Sequence, residues 1–137
     1  MEWKLEVVVV PVADVDRAKR FYSEQVGFVV DYDTRIGDEV HVVQLTPPGS
    51  ACSVVLGKGI VEMQPGSLKG LQLVVEDVRA ARTELVDRGV EVGEVQVLGG
   101  SGSRPAKDDE DLNNVGFVFF SDPDGNGWAV QEINVRS

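Results

Sequence analysis

Apolar and polar positions follow the same order twice along the chain. Each copy begins with a run of β-branched residues, which predicts a strand: Leu5 to Val12 in the first half and Leu71 to Val75 in the second. A stripe of apolar residues at helical spacing follows each run: Val15, Ala18, Tyr22 and Val26, then Val78, Ala81 and Leu85. Three further strand patterns follow each stripe. The sequence therefore predicts strand, helix and three strands, given twice.

The two copies align at several anchor positions, with small changes of spacing between them. Asp77 lies 63 residues after Asp14, and each Asp stands where its side chain can cap the first free amides of the predicted helix. Gly27 and Gly89 stand where left-handed helix caps are expected. The turns before the last strands align at a spacing of 76 residues: Thr46–Gly49 and Asp122–Gly125. We therefore predict a single domain, residues 1–137, built of two modules at about 3–62 and 67–135.

The extra length of the second copy falls within residues 99–114. This stretch is rich in glycine and serine and contains the acidic run Asp108 to Asp111, so it cannot bury a core and predicts a mobile loop. Two interpretations of the loop stay open at this point. It is either a flap that closes over a ligand or a solvated surface segment.

Composition narrows the class of protein. Thirteen Lys and Arg stand against 23 Asp and Glu, which gives a net charge of −10 and argues against a nucleic-acid partner. Cys52 is the single cysteine, so no intramolecular disulfide is possible. The apolar run near the start is interrupted by Pro11 and is too short for a bilayer, and no signal-peptide pattern precedes it. We expect a cytoplasmic protein with no membrane partner.

Four short motifs accompany the doubled order: Val12-x-Asp14, Phe21-Tyr22, Gly27-Phe28 and Asp122-Pro123-Asp124-Gly125-Asn126. Together they resemble the vicinal oxygen chelate superfamily, which includes glyoxalase I, extradiol dioxygenases, fosfomycin-resistance transferases and bleomycin-resistance proteins. The resemblance covers about residues 3 to 134. It implies an α+β fold of two tandem βαβββ modules, whose curled mixed sheets surround a concave pocket with helices on the convex side. It also implies a homodimer.

The resemblance further implies where a metal would be held. The four corresponding positions in this chain are Val7, Ser53, Gly70 and Ala129. Valine, glycine and alanine side chains offer no donor atom, and a lone hydroxyl is a poor ligand for a divalent ion. Gln72 and Gln131 are the nearest polar residues of the same strand parity, and two amide oxygens would bind a metal weakly. We therefore expect no metal and no cofactor.

These observations favour a protein that binds a small organic molecule in a metal-free pocket, in the manner of bleomycin-resistance proteins. Strand parity predicts eight wall residues: Val7, Val9, Ser53, Val55, Gln72, Val74, Ala129 and Gln131. Ser53, Gln72 and Gln131 would supply the hydrogen bonds.

Two enzymatic alternatives remain: a metal-dependent lyase or dioxygenase of the glyoxalase type, and a cofactor-free isomerase. His41, the only histidine, is the candidate base for the isomerase. It is either at the pocket wall or a strand histidine on a half-exposed face.

Overall fold

The computed structural model describes residues 1–58 and 62–135. It divides into two compact units, Met1–Leu68 with Asp122–Asn126, and Lys69–Ser121 with Gly127–Ser137. The last turn of the predicted second module thus belongs to the first unit. Residues 59–61 of the predicted first module, and 136–137 of the predicted domain, lie outside the described residues. No helix in the described ranges has the length and apolar character needed to cross a membrane.

Within its described residues, 1–58, 62–68 and 122–126, the first unit contains one helix and one four-stranded sheet. Its elements in chain order are β1 (Val7–Pro11), α1 (Val15–Arg20), a π-helical continuation of α1 (Phe21–Val26), β2 (Val29–Ile36), β3 (Val40–Thr46) and β4 (Ser53–Lys58). The strand order in the sheet is β1-β4-β3-β2. The pair β1 and β4 is parallel, whereas β4, β3 and β2 pair antiparallel.

The first helix forms as the sequence predicts. The Asp14 carboxylate accepts the backbone N–H of Arg17 at 3.0 Å and so caps the start of α1. The helical segment ends at Gly27, which has the left-handed φ of 92° expected for the cap. Helix α1 packs against β3 and β4. The core beneath it consists of buried apolar side chains, among them Val10, Ala18, Tyr22, Val43, Leu45 and Leu56.

The second unit repeats this plan with one additional strand. Its elements are β5 (Leu71–Val75), α2 (Val78–Asp87), β6 (Gln96–Gly99), β7 (Gly102–Pro105), β8 (Gly116–Ser121) and β9 (Gly127–Glu132), and its sheet order is β5-β9-β8-β6-β7. Asp77 caps α2 by accepting the backbone N–H of Ala80 at 3.1 Å. The two mixed sheets with few helices confirm the predicted α+β class.

Residues 99–114 differ from the predicted loop because they contain β7. This strand pairs antiparallel with β6, and its four residues are all exposed. No apolar alternation marks Gly102–Pro105, so the sequence pattern gave no strand signal. The segment that follows β7 is held by Glu110, whose carboxylate pairs with the Arg104 guanidinium and accepts the Lys107 backbone N–H at 3.0 Å.

The turn Asp122–Asn126 is bound into the first unit by its side chains. One Asp122 carboxylate oxygen accepts three backbone N–H groups of the turn, each at 2.9 Å. The other accepts the buried Tyr22 hydroxyl at 2.7 Å. The Asn126 amide donates to the Pro11 carbonyl oxygen at 2.8 Å. The bonds of Tyr22, the Asn126 backbone and the Asn126 amide are buried, so each of them satisfies a polar atom that water does not reach.

Candidate functional site

Four of the predicted wall residues lie together on the first sheet. In the register of β1 and β4, Val7 lies opposite Ser53 and Val9 lies opposite Val55. They share the face turned away from α1, which we call the first open face. Ser53 and Val55 are buried, whereas Val7 is exposed. The structure therefore brings these four side chains onto one face, as strand parity predicts.

A hydrogen-bonded chain of side chains crosses the first open face. The hydroxyls of Ser53 and Thr46 are 2.7 Å apart, and Thr46 donates to Asp31 Oδ2 at 2.5 Å. Gln44 Nε2 donates to the same oxygen at 3.0 Å. Hydrogen bonds from Thr46 and then Gln44 hold the pKa of Asp31 below its usual value. The face therefore carries a carboxylate that stays ionised at neutral pH.

Asp31, Gln44 and Thr46 were not among the site residues predicted from strand parity. The pairing of β2 with β3 shifts register between Val30 and Tyr32, so Asp31 is the extra residue of a β-bulge. Bulges redirect a side chain relative to strict alternation. The residue types around Asp31 do not indicate a β-bulge, so strand parity alone could not assign this carboxylate to a face.

The other four predicted wall residues lie together on the second sheet. Gln72 lies opposite Ala129, and Val74 lies opposite Gln131. They share the face turned away from α2, which we call the second open face. Gln72 Nε2 donates to Gln131 Oε1, and Gln131 Nε2 donates to the Asn114 carbonyl oxygen at 2.8 Å. The two glutamines form one fixed polar patch.

Two aromatic rings complete the second open face. Phe117 lies opposite Gln131 and Phe119 opposite Ala129, and their rings are nearly parallel at 8° with centroids 6.1 Å apart. Phe119 is 44% exposed. Neither ring was among the predicted wall residues, because β8 carries aromatic residues on both faces. Phe120 stacks on Trp128 in the core, so residue type does not separate the faces.

His41 lies on the opposite side of the first sheet from the predicted pocket wall. It is buried, and its parity on β3 is that of the core residues Val43 and Leu45. Its Nε2 is 2.7 Å from Asp33 Oδ1. The half-exposed position expected from the sequence is also wrong. The ring fills the space beside α1, where a His with a carboxylate partner can be buried.

Asp16, Asp33 and His41 form the one cluster in the described residues whose donor atoms could meet at a metal ion. Their carboxylates already have cationic partners. The Lys19 ammonium lies 2.8 Å from Asp33, and the Arg35 guanidinium lies 2.9 Å from Asp16. Lys19, together with His41, holds the pKa of Asp33 below its usual value. The two negative charges are therefore matched by two fixed positive charges without an added ion.

Comparisons with known proteins agree with this geometry. The family model of the Glyoxalase/Bleomycin resistance protein/Dioxygenase superfamily matches residues 4–130. The chain belongs to this superfamily. No curated protein matches the chain.

Solved structures give the same result for the superfamily fold. The chain is 32% identical to TnmS3, an antibiotic binding protein from Streptomyces sp. CB03234, with a TM-score of 0.73 over 96% of this chain and 97% of that one. It is 26% identical to a superfamily member from Sphaerobacter thermophilus DSM 20745, with a TM-score of 0.74 over 96% of this chain and 98% of that one.

The positions where the superfamily resemblance implies metal ligands do not offer a suitable donor set. Val7 and Ala129 lie on the two open faces, and Gly70 immediately precedes β5. None of these three side chains carries a nitrogen or oxygen. The hydroxyl of Ser53, the fourth, is bonded to Thr46. A divalent ion needs several oxygen or nitrogen donors at once, so these residues do not fit one.

Proposed function

We propose that this superfamily member binds a small organic molecule on its two open faces and does so without a metal. The eight wall residues predicted from the sequence, together with Asp31, Phe117 and Phe119, form the binding surfaces. The ligand is bound non-covalently and left chemically unchanged. This proposal extends to the chain what is known of TnmS3, an antibiotic binding protein.

One observation carries the proposal. The second open face presents exposed apolar side chains, Val74 at 45% and Phe119 at 44%, directly beside the fixed amide pair of Gln72 and Gln131. Small-molecule sites combine apolar area with a few oriented polar groups in this way. A face that only had to remain in water would favour charged side chains at these positions.

The positions of the titratable groups favour binding over cofactor-free isomerisation. His41 lies on the helix-facing side of its sheet and cannot reach a molecule on the open face. Asp31 does lie on the open face, but its lowered pKa makes it a weak proton acceptor near neutral pH. Asp31 instead suits the recognition of a hydrogen-bond donor or a cationic group.

The test is a thermal-shift screen of the protein against a panel of antibiotics, followed by isothermal titration of each compound that raises Tm. We expect Phe119→Ala and Gln131→Ala to weaken binding of the hit by about tenfold or more, as loss of aromatic contact or an oriented hydrogen bond does. Val86→Ala and Gln64→Ala are matched controls, because both residues are exposed and lie off the open faces.

Metal content is measured on the same preparations, purified without chelator. Stoichiometric Ni, Zn, Fe or Mn whose removal abolishes binding would contradict the metal-free proposal and favour a glyoxalase-type lyase or dioxygenase. Equal affinity in Phe119→Ala, Gln131→Ala and the wild type would contradict the assignment of the second open face.

We further propose that the protein is a cytoplasmic homodimer. Trp3 and Leu5 are 89% and 71% exposed and continue the alternation of β1 toward the amino terminus. Large apolar side chains at neighbouring positions are typical of association surfaces. Sedimentation velocity tests the oligomer, with Leu5→Asp expected to shift it toward monomer and Lys4→Asp as control. A wild-type monomer at high micromolar concentration would contradict the proposal.

A further inference from the structure

A cleft lies on the helix side of the second unit, away from its open face. It has a volume of about 350 Å³ and is lined by α2, the segment before β6 and the segment after β7. Three of its lining side chains are basic: Arg79, Arg82 and Lys107. Two are acidic, Glu94 and Asp108, so the cleft has a local excess of positive charge in a chain whose net charge is −10.

Backbone carbonyls fix the two arginines in place. Arg79 donates to the carbonyl oxygens of Lys107 and Glu110 at 2.5 and 3.2 Å. Arg82 Nε donates to the Gly93 carbonyl oxygen at 2.8 Å. Both arginines are half-buried. Because these side chains are already held in place, less side-chain conformational entropy is lost when a ligand binds.

In the described part of the chain, the three basic side chains of this cleft form no ion pairs, although acidic residues outnumber basic ones. Within residues 1–58 and 62–135, no carboxylate oxygen lies within 4.0 Å of a side-chain nitrogen of Arg79, Arg82 or Lys107, although the chain has 23 acidic against 13 basic residues. The two Nη groups of Arg82 and Nζ of Lys107 have no hydrogen-bond acceptor in the same described ranges. Three cations thus line one concave space together with two carboxylates, and their side chains form no ion pair within the described ranges, although the charge of Lys107 also acts on the nearby Glu110 carboxylate.

We propose that this cleft binds a phosphate group, either free or carried by a small phosphomonoester. The fork of Arg82 can donate two hydrogen bonds to two phosphate oxygens, and the Lys107 ammonium adds a point charge. Charge-assisted hydrogen bonds of this kind are about twice as strong as neutral ones. The cleft volume lies at the lower end of the range of about 300–1,000 Å³ for small-molecule sites, which leaves room for a small organic group. The proposal is independent of the open faces.

The first unit provides a matched reference. Asp16 and Lys19 align with Arg79 and Arg82 at the same spacing of 63 residues. The corresponding cleft is lined by Asp14, Asp16 and Asp38, and its Arg35 is paired with Asp16. Lys19 is paired with Asp33. Arg35 of this cleft and the nearby Lys19 are both in ion pairs, so removing Lys19 should leave phosphate binding unchanged.

The experiment titrates the protein with inorganic phosphate, glycerol 3-phosphate and sodium chloride, at constant ionic strength, by isothermal calorimetry and thermal shift. We expect saturable one-site binding of phosphate or the ester and none of chloride. Arg82→Gln should weaken binding by about tenfold or more, and Lys107→Gln by a few-fold. Lys19→Gln, which makes the same charge change as Lys107→Gln, should leave affinity unchanged.

Arg82→Lys distinguishes a role of Arg82 in ligand binding from a role in folding. It keeps the charge but removes the bond to Gly93, so we expect intermediate affinity, and circular dichroism checks that each variant is folded. Tighter binding of the ester than of free phosphate identifies the organic group as part of the ligand. Absence of saturable binding, or equal affinity in Arg82→Gln and the wild type, would overturn the proposal.

Discussion

The two modules share a backbone plan but differ in what their aligned positions do. On the helix side, α1 carries Asp16 and Lys19, both joined in ion pairs, whereas α2 carries Arg79 and Arg82, both bonded to backbone carbonyls. The repeated strand–helix geometry puts a cleft at the same place in each unit. The side chains alone decide its charge. A duplicated fold can therefore carry separate chemistries at equivalent positions.

The open faces differ in the same manner. The first is organised around an ionised carboxylate, Asp31, at the end of a hydrogen-bonded chain from Ser53. The second has neutral amides beside two parallel aromatic rings. One face suits a donor or cationic group and the other a planar apolar group.

The largest expected difference in stability is between alanine substitutions at two glycines with similar φ angles. Gly66 has φ +79°, and an added Cβ would stand 2.0 Å from the Asp124 carbonyl oxygen. Gly49, in the first-module turn, has φ +85° and open space around it. Gly66→Ala should lower the free energy of unfolding by about 2–5 kcal/mol, since it combines backbone strain with overpacking. Gly49→Ala should cost about 1–2 kcal/mol, from strain alone.

Urea unfolding of the two variants measures both effects. The contrast tests how rigidly the turn Asp122–Asn126 is held in the first unit. Equal losses at Gly66 and Gly49 would mean that this turn moves aside at little cost, contrary to its many hydrogen bonds.

The two turns themselves predict the next largest effect. Asp122→Ala removes the acceptor of three backbone N–H groups and of the Tyr22 hydroxyl, and should cost about 2–4 kcal/mol because the Tyr22 hydroxyl and the Asn126 N–H remain buried without this acceptor. Its aligned residue, Thr46, makes fewer bonds, so Thr46→Ala should cost about 1 kcal/mol.

Urea midpoints at neutral pH measure these changes in stability, with Tyr22→Phe as a partial variant that removes only the hydroxyl bond. An Asp122→Ala loss no larger than that of Thr46→Ala would show that the bonds of the second turn add little to the stability of the first unit.

The features that depend on contacts between neighbouring residues could be predicted from the sequence. Asp14 and Asp77 cap their helices through neighbouring amides, and alternation assigns a side chain to a face even when the partner strand slips by two residues. Such a slip occurs here: the first sheet pairs Val7 with Ser53, but the second pairs Ala129 with Gln72 rather than with Gly70. The repeat therefore predicted faces correctly without predicting partners.

The remaining features depend on contacts that are distant in sequence or on backbone irregularity. The Tyr22 hydroxyl meets Asp122 across 100 positions of sequence, which no local pattern encodes. The bulge at Asp31 and the exposed strand β7 lack a periodic signal. His41 has the residue type of a catalytic base, but its parity with Val43 and Leu45 assigns it to the core face. The residue type of His41 suggested a catalytic base, but its position on the core face contradicts that role.

The smallest expected effect concerns acid stability, where the second module again differs. The pKa of Glu110 is lowered from 4.5 to about 2, first by its hydrogen bond with Arg104 and then by the Lys107 backbone N–H. Because its folded-state pKa is depressed, the pair contributes stability that is fully present above the unfolded pKa and is lost as pH falls toward 2.

Glu110→Gln should therefore reduce stability at pH 7 and approach wild-type stability near pH 2. Asp109→Asn removes the same charge from the same run and is the control. Urea midpoints measured from pH 2 to 7 test this, and parallel curves for the wild type and Glu110→Gln would show that the Arg104–Glu110 pair does not stabilise the segment after β7.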